Sequence, residues 1–555
     1  MSKQEQVKKK TEDRTGTKHL VITLCFSLIV AFALFIYEPI VMYSGNINEF
    51  WFDFGTLLSV MVLPFCITLL VFAVGYTVVF FATRKKPIIF YVLEILSFVG
   101  FVYFYIHGNF LSGILPTLYG DIIDWWGSSM AVGHIASVAL LVILIILVIG
   151  GIKKLSPEKT ATYAAYTVGA FVIMMLVSFA TTLTTPGIYV NKDVQPVATV
   201  KNLNKISTDK NFYILLVDCT DSSTFNSFVE EKYKDDFQDF TYFKDTTSGY
   251  SSTRNSIPLI FSGKFYTNQM EFNRFSTEAL DSSKTFEKLA KEGYNMNFYN
   301  DDFTWNSKKT LAFSNLSSDL SDYSKKGFVK QTIKYILYKY LPFALKSFSK
   351  IQSLDFSSVI KAKDTGELYS WYNMSYYDNI LIKEPEMTKE KLFQYVHIQG
   401  SHSPYDMDEE LNPIPDGTGT YEQKIGASAK LASLAIKRLK ESGEYDNSVI
   451  VIMADHGWKT HAPVLYIKGF GTRNDNMQIS EKQVSWTDLD AAFVELANGL
   501  SAEDAFIDIP TEGRTRYFYV DFEKIPMKEY VNFGGKSYDA DSWEKTETEY
   551  EPYKG

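Results

Sequence analysis

The chain has 555 residues, more than one hydrophobic core usually organises, so at least two structural units are expected. A composition of 46% hydrophobic and 15% aromatic residues excludes a disordered or fibrous protein. The formal net charge of -9 argues against a nucleic-acid partner, and three cysteines are too few for a disulfide framework.

Five apolar runs fill the first third of the chain, each near the roughly 20 residues that a helix needs to cross a bilayer. These runs are His19–Tyr43, Thr56–Ala82, Pro87–His107, Met130–Ile152 and Ala161–Leu183. They predict a five-span transmembrane domain over residues 19–183, preceded by a tail of residues 1–18.

Positive charge alternates between the loops that join these runs. Lysine and arginine precede the first run and occupy the loops at 84–86 and 153–159, whereas the loops at 44–55 and 108–129 have neither. The positive-inside rule then places the N-terminal tail in the cytoplasm. Because the number of spans is odd, we expect a multi-pass protein of the cell membrane whose large polar half is extracellular.

The polar half begins with residues 184–209, which contain Pro186, Gly187 and Pro196 and are predicted to be a linker. Over residues 210–555, short β-rich runs alternate with amphipathic helices, which predicts an α/β domain. One stretch, Tyr323–Gln352, is helical, basic and aromatic, and we expect it to be a surface insertion that touches anionic lipid.

The predicted strands and helices of this domain are the most regular part of its pattern. The strands are Phe212–Val217, Gln394–Gln399, Ser448–Met453, Val464–Ile467 and Arg516–Val520. The helices are Ser276–Glu292, Tyr421–Ser442 and Ser485–Asn498. Several strands end at an acidic residue or a histidine, and ligands of α/β sheets bind outside the carboxyl ends of the strands.

The clearest chemical motif follows the strand Ser448–Met453. It delivers Asp455 and His456 side by side, followed by Gly457. Carboxylate oxygen and imidazole nitrogen suit zinc, manganese and similar divalent ions. The plainer alternative is an aspartate that caps the next helix with a histidine beside it by chance.

Two further motifs precede it in the chain. The strand Phe212–Val217 ends in Asp218, which either binds a metal ion or accepts hydrogen bonds in a turn. A hydroxyl-rich loop, residues 246–258, then enters an apolar helix that closes on Gly263. Its hydroxyls either cap the helix or lie where a phosphate or sulfate group binds.

In this chain order the motifs resemble those of the alkaline phosphatase and sulfatase superfamily. The resemblance is closest to the membrane-bound branch of lipoteichoic acid synthases and phosphoethanolamine transferases, in which five spans precede an extracytoplasmic catalytic domain. It implies a central mixed, mostly parallel sheet flanked by helices. It also covers essentially the whole chain, although it rests on a few short motifs.

The resemblance assigns roles to individual residues. It implies metal ligands at Asp218, Asp455 and His456, together with a catalytic Thr253 whose oxygen also binds the metal. If the slightly longer motif of the phosphoethanolamine transferases applies, the nucleophile is Ser251 instead. It places His402, in the Ser401–Tyr405 segment, on the substrate side. The substrate-binding histidines are predicted to be His402 and His461, although the segment before His461 is unusually short.

The implied function is a transferase that moves a phospho-headgroup, foremost phosphoglycerol, from a membrane phospholipid to an envelope glycopolymer or glycolipid. The reaction is expected to pass through a phospho-threonine and to need one divalent metal ion, foremost manganese, with zinc or magnesium as alternatives. Phosphoethanolamine transfer, phosphodiester or phosphate hydrolysis, and a non-catalytic envelope-binding module are the competing hypotheses.

Formylglycine-dependent sulfatase chemistry is not expected from this sequence. Its signature needs a cysteine followed two residues later by proline and then arginine. The cysteine of the polar half, Cys219, is followed by Thr220, Asp221 and Ser222.

Overall fold

A computed structural model describes residues 3–47, 50, 52–115, 125–189, 196–300, 307, 309, 312–317, 322–351, 360–361, 368–415, 418–521 and 525–553. The chain divides into two compact units. The first consists of residues 1–194 and 323–360, and the second of residues 195–322 and 361–555. The predicted domain over 210–555 is therefore interrupted by a segment that groups with the membrane helices.

The first unit contains five helices long and apolar enough to span a membrane, Gly16–Gly45, Phe54–Ala82, Pro87–Phe110, Ser128–Leu155 and Pro157–Thr182. The first span comprises α1 (Lys3–Phe32), a π-helical turn (Ala33–Tyr37) and α2 (Glu38–Gly45). The others contain α3 (Phe54–Ala82), α4 (Pro87–Phe110), α5 (Ala131–Leu155) and α6 (Pro157–Thr182). The prediction of five apolar spans is confirmed, and α1 extends into the predicted tail.

A sixth element of this unit comes from the middle of the chain. It is α11 (Lys325–Tyr340) followed by a 3₁₀ helix, Phe343–Ser349. The ring of Phe328 packs against Phe52 with ring centroids 5.0 Å apart. The ring of Phe343 occupies the space that a side chain at Gly133 would need. The segment is thus packed against the spans and not only on the surface; that it interrupts the α/β domain is confirmed, and its contact with anionic lipid stays a prediction.

A buried ion pair holds α11 to the first span. The Lys339 ammonium lies 2.7 Å from the Glu38 carboxylate, whose side chain is fully buried, and the Tyr340 hydroxyl donates to the same carboxylate. Removing one partner of such a pair leaves a buried charge uncompensated.

We expect Lys339→Met to weaken the packing of α11 against the spans by about 3–5 kcal/mol, because the Glu38 charge would stay buried. The double variant Glu38→Gln/Lys339→Met is expected to recover much of that loss. The measurement is the rate of limited proteolysis within residues 322–351 of the full chain in lipid nanodiscs. Lys326→Met, at an exposed position of α11, is the control. Equal cleavage of Lys339→Met and wild type would contradict the prediction.

The second unit is built on a seven-stranded sheet with the strand order β14-β4-β13-β12-β3-β11-β6. Its strands are β3 (Asn211–Val217), β4 (Thr241–Phe243), β6 (Asn295–Tyr299), β11 (Leu392–Ile398), β12 (Ser448–Met453), β13 (Leu465–Lys468) and β14 (Gln478–Ser480). Only β13 runs against the others, pairing antiparallel with β12 and β4. The predicted mixed, mostly parallel sheet is confirmed.

The helices of this unit differ from the prediction mainly in one place, although the predicted helix Ser485–Asn498 becomes α-helical only at Leu489. They are α7 (Ser222–Phe228), α8 (Thr253–Ser262), α9 (Phe272–Asp281), α10 (Lys284–Lys291), α12 (Asn373–Tyr376), α13 (Tyr421–Glu441) and α14 (Leu489–Ala497). The predicted helix Ser276–Glu292 is broken between α9 and α10. There Ser283 caps α10, and the Asp490 carboxylate accepts hydrogen bonds from Ser283 and from two backbone N–H groups.

Smaller strands complete the second unit. A three-stranded antiparallel sheet is formed by β16 (Thr515–Val520), β17 (Met527–Phe533) and β18 (Trp543–Tyr550). The two-residue or three-residue strands are β1 (Val197–Ala198), β2 (Lys205–Ser207), β5 (Thr246–Thr247), β7 (Leu316–Ser317), β8 (Asp322–Tyr323), β9 (Ile360–Lys361), β10 (Glu386–Thr388) and β15 (Val484–Ser485). Two of these, β1 and β2, lie in the predicted linker 184–209, whose residues 190–195 are outside the described residues.

Candidate active site

The candidate site lies at the carboxyl ends of β3, β11 and β12, the three central parallel strands. The register pairs Leu216 with both Met453 of β12 and His397 of β11, so all three strands end at one edge. Asp218 therefore lies beside His397 and close to the Asp455–His456 pair. These polar groups meet at the edge where α/β sheets bind ligands.

A close approach of two backbones shapes this edge. Gly400, just after β11, has a φ of +57°, and a Cβ added there would lie 2.3 Å from the backbone nitrogen of Asp218. The following residue, Ser401, donates its N–H to the carbonyl oxygen of Asp218 at 2.8 Å. Glycine is needed here because any side chain would separate the ends of β3 and β11.

Asp218 is the central carboxylate of the site. It is 2% exposed; its Oδ2 lies 3.2 Å from His397 Nε2 and accepts a 3.4 Å hydrogen bond from the Thr253 hydroxyl. Its Oδ1 has no hydrogen-bond partner in the described part of the chain. Burial by itself raises the pKa of Asp218, but the His397 hydrogen bond and nearby imidazoles hold that pKa below its usual range.

The second carboxylate, Asp455, is fully buried. Its Oδ1 accepts the backbone N–H of Cys219 at 3.2 Å, and its Oδ2 has no hydrogen-bond partner within the described ranges. Burial, followed by the negative charge of Asp218, raises the pKa of Asp455. Two buried carboxylates with unused oxygens are unfavourable without a cation near them.

His456 presents a ring nitrogen to both unused oxygens. Its Nδ1 donates to the carbonyl oxygen of Gly457 at 3.0 Å. Its Nε2 lies 3.7 Å from Asp218 Oδ1 and 3.6 Å from Asp455 Oδ2. In a metal-binding histidine one ring nitrogen usually donates a hydrogen bond, here Nδ1, and the other faces the metal site, here Nε2.

The donor atoms at this edge fit one divalent metal ion. Asp218, Cys219 and His456 each offer a ligand atom within 4.8 Å of the other two. The unpartnered oxygens of Asp218 and Asp455 are negative and buried, so a cation would supply the interactions that they lack. The metal predicted from the sequence is thus compatible with the residues present.

Thr253 is the first residue of α8, and its hydroxyl faces the carboxylates. Besides its hydrogen bond to Asp218, this hydroxyl favours the ionised form of Asp455, so it lies near both groups. Ser251, the alternative nucleophile, instead donates its hydroxyl to Asp521 at 2.8 Å. The geometry therefore favours Thr253 over Ser251.

Residues 225–484 match the family model described as Sulfatase. The chain contains a sulfatase-family domain. The resemblance to the alkaline phosphatase and sulfatase superfamily is thereby confirmed. Thr253, His402, Asp455 and His456 lie inside the matched range, and Asp218 lies shortly before it.

Solved structures similar to the chain include several members of this superfamily. Lipoteichoic acid synthase LtaP from Listeria monocytogenes is 13% identical, with a TM-score of 0.33 and coverage of 63% of this chain and 86% of LtaP. The C-terminal periplasmic domain of EcEptC from Escherichia coli is 12% identical, with a TM-score of 0.31 and coverages of 61% and 93%. PsFucS1 sulfatase from Pseudoalteromonas sp. is 9% identical, with a TM-score of 0.33 and coverages of 61% and 82%. Among curated proteins, no sequence matches the chain.

The two predicted substrate histidines of the sulfatase domain have different surroundings. His402 donates from Nδ1 to the carbonyl oxygen of Ser403 at 2.7 Å, and its ring is near enough to Asp218 to contribute to the lowered pKa of that carboxylate. Its ring contacts Trp371, which also contacts His397. The structure therefore places His402 at the edge of the carboxylate cluster.

His461 lies among aromatic rings instead. Its ring centroid is 4.0 Å from that of Phe518 and 4.9 Å from that of Trp543. Burial lowers the pKa of His461 to about 4, so the ring is neutral at ordinary pH. The structure does not bring His461 to the carboxylates, and its substrate-binding role stays a prediction.

His397 is a residue of the sulfatase-domain site that the sequence did not single out. It is 1% exposed, and its ring links Asp218 Oδ2 at Nε2 with Asn300 Oδ1 at Nδ1, the latter at 3.0 Å. It is one of four histidines of the polar half, with His402, His456 and His461, whose clustering at buried strands favours a site over a core position, although the sequence assigns His397 no specific role. The structure indicates that it orients the Asp218 carboxylate.

Asp521, directly after β16, is a second missed residue and lies beyond the matched range. Its Oδ1 accepts both the N–H and the hydroxyl of Ser251, and its Oδ2 accepts from the Ser252 hydroxyl and the Asn255 amide. Burial raises the pKa of Asp521, although these hydrogen bonds oppose the shift. One carboxylate thus fastens the loop that leads into Thr253. The signal in the sequence was an acid that ends a strand.

We expect Asp521→Ala to lower kcat by about 10–100-fold while the metal content stays unchanged, because the loop before Thr253 would lose its anchor and the nucleophile its fixed position. The assay is turnover of the full chain in nanodiscs with metal analysis of the same sample. Glu512→Ala, at an exposed position of the same region, is the control. A normal kcat of Asp521→Ala would contradict the proposal that Asp521 positions the loop before Thr253.

Proposed function

We propose that the sulfatase domain is a metal-dependent transferase that moves a phospho-headgroup from a membrane phospholipid to an envelope glycopolymer or glycolipid. The headgroup that the sequence favours is phosphoglycerol. The observation that carries the proposal is the Thr253 hydroxyl, which begins a helix and is hydrogen-bonded to Asp218 beside two unpartnered carboxylate oxygens. The five apolar helices of the same chain support a lipid donor.

The residues that would hold the metal ion are Asp218, Asp455, His456 and Thr253. When bound, a divalent ion supplies positive charge that stabilises phosphoryl oxygens and favours ionisation of a hydroxyl. His397 keeps the Asp218 carboxylate in place, and Gly457 fixes the ring of His456 through its carbonyl oxygen. These contacts orient the donor set before substrate arrives.

In the first step the Thr253 oxygen forms a bond to the phosphorus of the lipid headgroup, and the bond from phosphorus to the diacylglycerol oxygen breaks. The hydroxyl proton of Thr253 is released along its hydrogen bond toward Asp218 Oδ2. The N-terminus of α8 directs backbone N–H groups toward the phosphoryl group. The diacylglycerol oxygen takes up a proton, for which His402 is the proposed donor.

In the second step a hydroxyl group of the acceptor attacks the phosphorus, and the bond to the Thr253 oxygen breaks. The proton of the acceptor hydroxyl passes to His402, which replaces the one given to diacylglycerol, the Thr253 oxygen takes back the proton released toward Asp218, and the headgroup stays on the acceptor. With water in place of the acceptor the same residues would perform phosphodiester hydrolysis, so the fate of the headgroup separates these two functions.

Two features support phosphoryl transfer over formylglycine-dependent sulfate hydrolysis. A threonine, not a cysteine, begins the helix at the candidate nucleophile position. Cys219 lies after β3 and lacks the following proline and arginine.

The distribution of lysine and arginine in the loops further supports an extracellular location of the sulfatase domain.

The test uses the full chain in nanodiscs that contain phosphatidylglycerol or phosphatidylethanolamine, with an alcohol-bearing glycolipid acceptor. The proposal predicts metal-dependent release of diacylglycerol and a headgroup that is recovered on the glycolipid. Recovery of free glycerol phosphate alone would establish hydrolysis instead. No diacylglycerol from either lipid, in the presence of bound metal, would contradict the proposed donor class.

A further inference from the structure

Cys219 occupies an unusual backbone position beside the candidate metal site. It follows Asp218 directly, is 5% exposed and has a φ of +56°, a left-handed conformation that residues other than glycine seldom adopt. Its N–H donates to Asp455 Oδ1 at 3.2 Å. The backbone of Cys219 thus joins the two carboxylates, while the proposed reaction leaves its thiol without a role.

The thiol lies close to two of the candidate metal ligands. Its Sγ, a carboxylate oxygen of Asp218 and a ring nitrogen of His456 are all within 4.8 Å of one another. Ligand bonds of about 2.0–2.3 Å keep two donors to one zinc ion within roughly 4.6 Å of each other. Only a small movement of side chains would bring all three atoms onto one ion.

A separate observation indicates that a cation belongs here. Asp218 Oδ1 and Asp455 Oδ2 have no hydrogen-bond partner in the described part of the chain, although these residues are only 2% and 0% exposed. Both oxygens lie within 3.7 Å of His456 Nε2, which the Nδ1 hydrogen bond leaves as the inward nitrogen. Buried acceptors without donors are costly, and a bound cation would satisfy them.

We propose that Cys219 binds the metal ion through Sγ, together with Asp218 and His456, and that this ligand makes the site select zinc over manganese and magnesium. The inference rests on the proposed function, since the ion is the one that the transferase uses. Binding replaces the thiol hydrogen by the metal ion and releases one proton to solvent. Thiolate and imidazole suit zinc, whereas manganese and magnesium favour carboxylate and water. The site would then bind manganese, the metal expected from the resemblance, more weakly than it binds zinc.

The plain alternative is that Cys219 is a small buried side chain that packs without binding metal. The chain offers a clean way to separate the two, because its other cysteines, Cys25 and Cys66, lie in α1 and α3 and are exposed. The variant Cys25→Ser/Cys66→Ser keeps Cys219 as the only thiol of the full-length protein.

The experiment loads this variant, purified in detergent, with zinc or cobalt after metal removal. X-ray absorption of the zinc form is expected to show a sulfur neighbour at about 2.3 Å, besides the nitrogen and oxygen neighbours at about 2.0–2.2 Å. The cobalt form is expected to show a thiolate charge-transfer band in the near ultraviolet. One bound ion with neither signal would overturn the inference and leave the proposed function standing, whereas failure to bind any metal would overturn both.

The selectivity is tested by competition between zinc and manganese. We expect Cys219→Ser to lower the preference for zinc at least tenfold and to abolish the charge-transfer band. An unchanged preference would overturn the selecting role. The spectra of the single-cysteine variant do not depend on whether Cys219→Ser folds, so the ligand assignment stays testable in either case.

Discussion

Thr253→Ala is expected to lower turnover at least about a thousandfold, because the variant lacks the oxygen that forms the covalent intermediate. Thr253→Ser keeps a hydroxyl at the start of α8 and is expected to retain measurable activity. The measurement is diacylglycerol release by the full chain in nanodiscs. Metal content and thermal stability of each variant show whether the loss is chemical or structural.

Ser251→Ala is the matched control for this prediction. Its hydroxyl is hydrogen-bonded to Asp521 and not to Asp218, and one such bond contributes about 1 kcal/mol. We therefore expect a loss of about tenfold or less. If Ser251→Ala abolished turnover while Thr253→Ala retained it, Ser251 would be the nucleophile and the longer spacing of the phosphoethanolamine transferases would apply.

Asp455→Asn is expected to have opposite effects on activity and on stability. Activity should fall about a thousandfold and metal affinity at least a hundredfold, because an amide is a poor ligand for a divalent cation. The metal-free variant should nevertheless unfold at a higher temperature than the metal-free wild type. The reason is that asparagine removes the negative charge of Asp455, which is buried next to Asp218 and whose Oδ2 has no hydrogen-bond partner in the described residues.

The pH dependence of this effect has a definite sign. The folded-state pKa of Asp455 is raised by burial and by the charge of Asp218, so the folded protein binds the proton more tightly than the unfolded chain does. Asp455 therefore contributes to the stability of the metal-free wild type at a pH below its pKa in the unfolded chain. This contribution is lost as the pH rises through the pKa of Asp455 in the folded protein. The thermal unfolding curve of Asp455→Asn should lack this loss.

Asp490→Asn provides the contrast. Asp490 is also buried, but its carboxylate accepts three hydrogen bonds at the start of α10. Its replacement should lower the unfolding temperature and leave the metal content unchanged. A metal-free Asp455→Asn protein that is destabilised in the same way as Asp490→Asn would contradict the account of a strained carboxylate pair.

Much of the fold was predictable because it depends on local patterns. The spans follow from apolar runs of sufficient length, and β12 was predicted with the bounds that it has in the structure. Asp218, Asp455 and His456 were found because each follows a buried strand at the same edge of the sheet. The family resemblance supplied the roles proposed for these residues.

The remaining features depend on contacts between distant parts of the chain. Asp521 fastens Ser251 across 270 positions of sequence; its place at the end of a strand is a local signal, but its partner is not visible in the sequence. The helix break at Ser283 depends on Asp490, more than 200 residues away. The burial of α11 depends on Glu38 of the first span, and the same basic, aromatic composition also suits a surface helix.

The central claim, covalent transfer through Thr253, is tested most directly by intact-mass spectrometry of the full chain after brief mixing with phosphatidylglycerol and divalent metal. The account predicts a mass increase of one phosphoglycerol, mapped to the peptide that contains Thr253 and lost in Thr253→Ala. Turnover without any adduct, or an adduct that persists in Thr253→Ala, would contradict it.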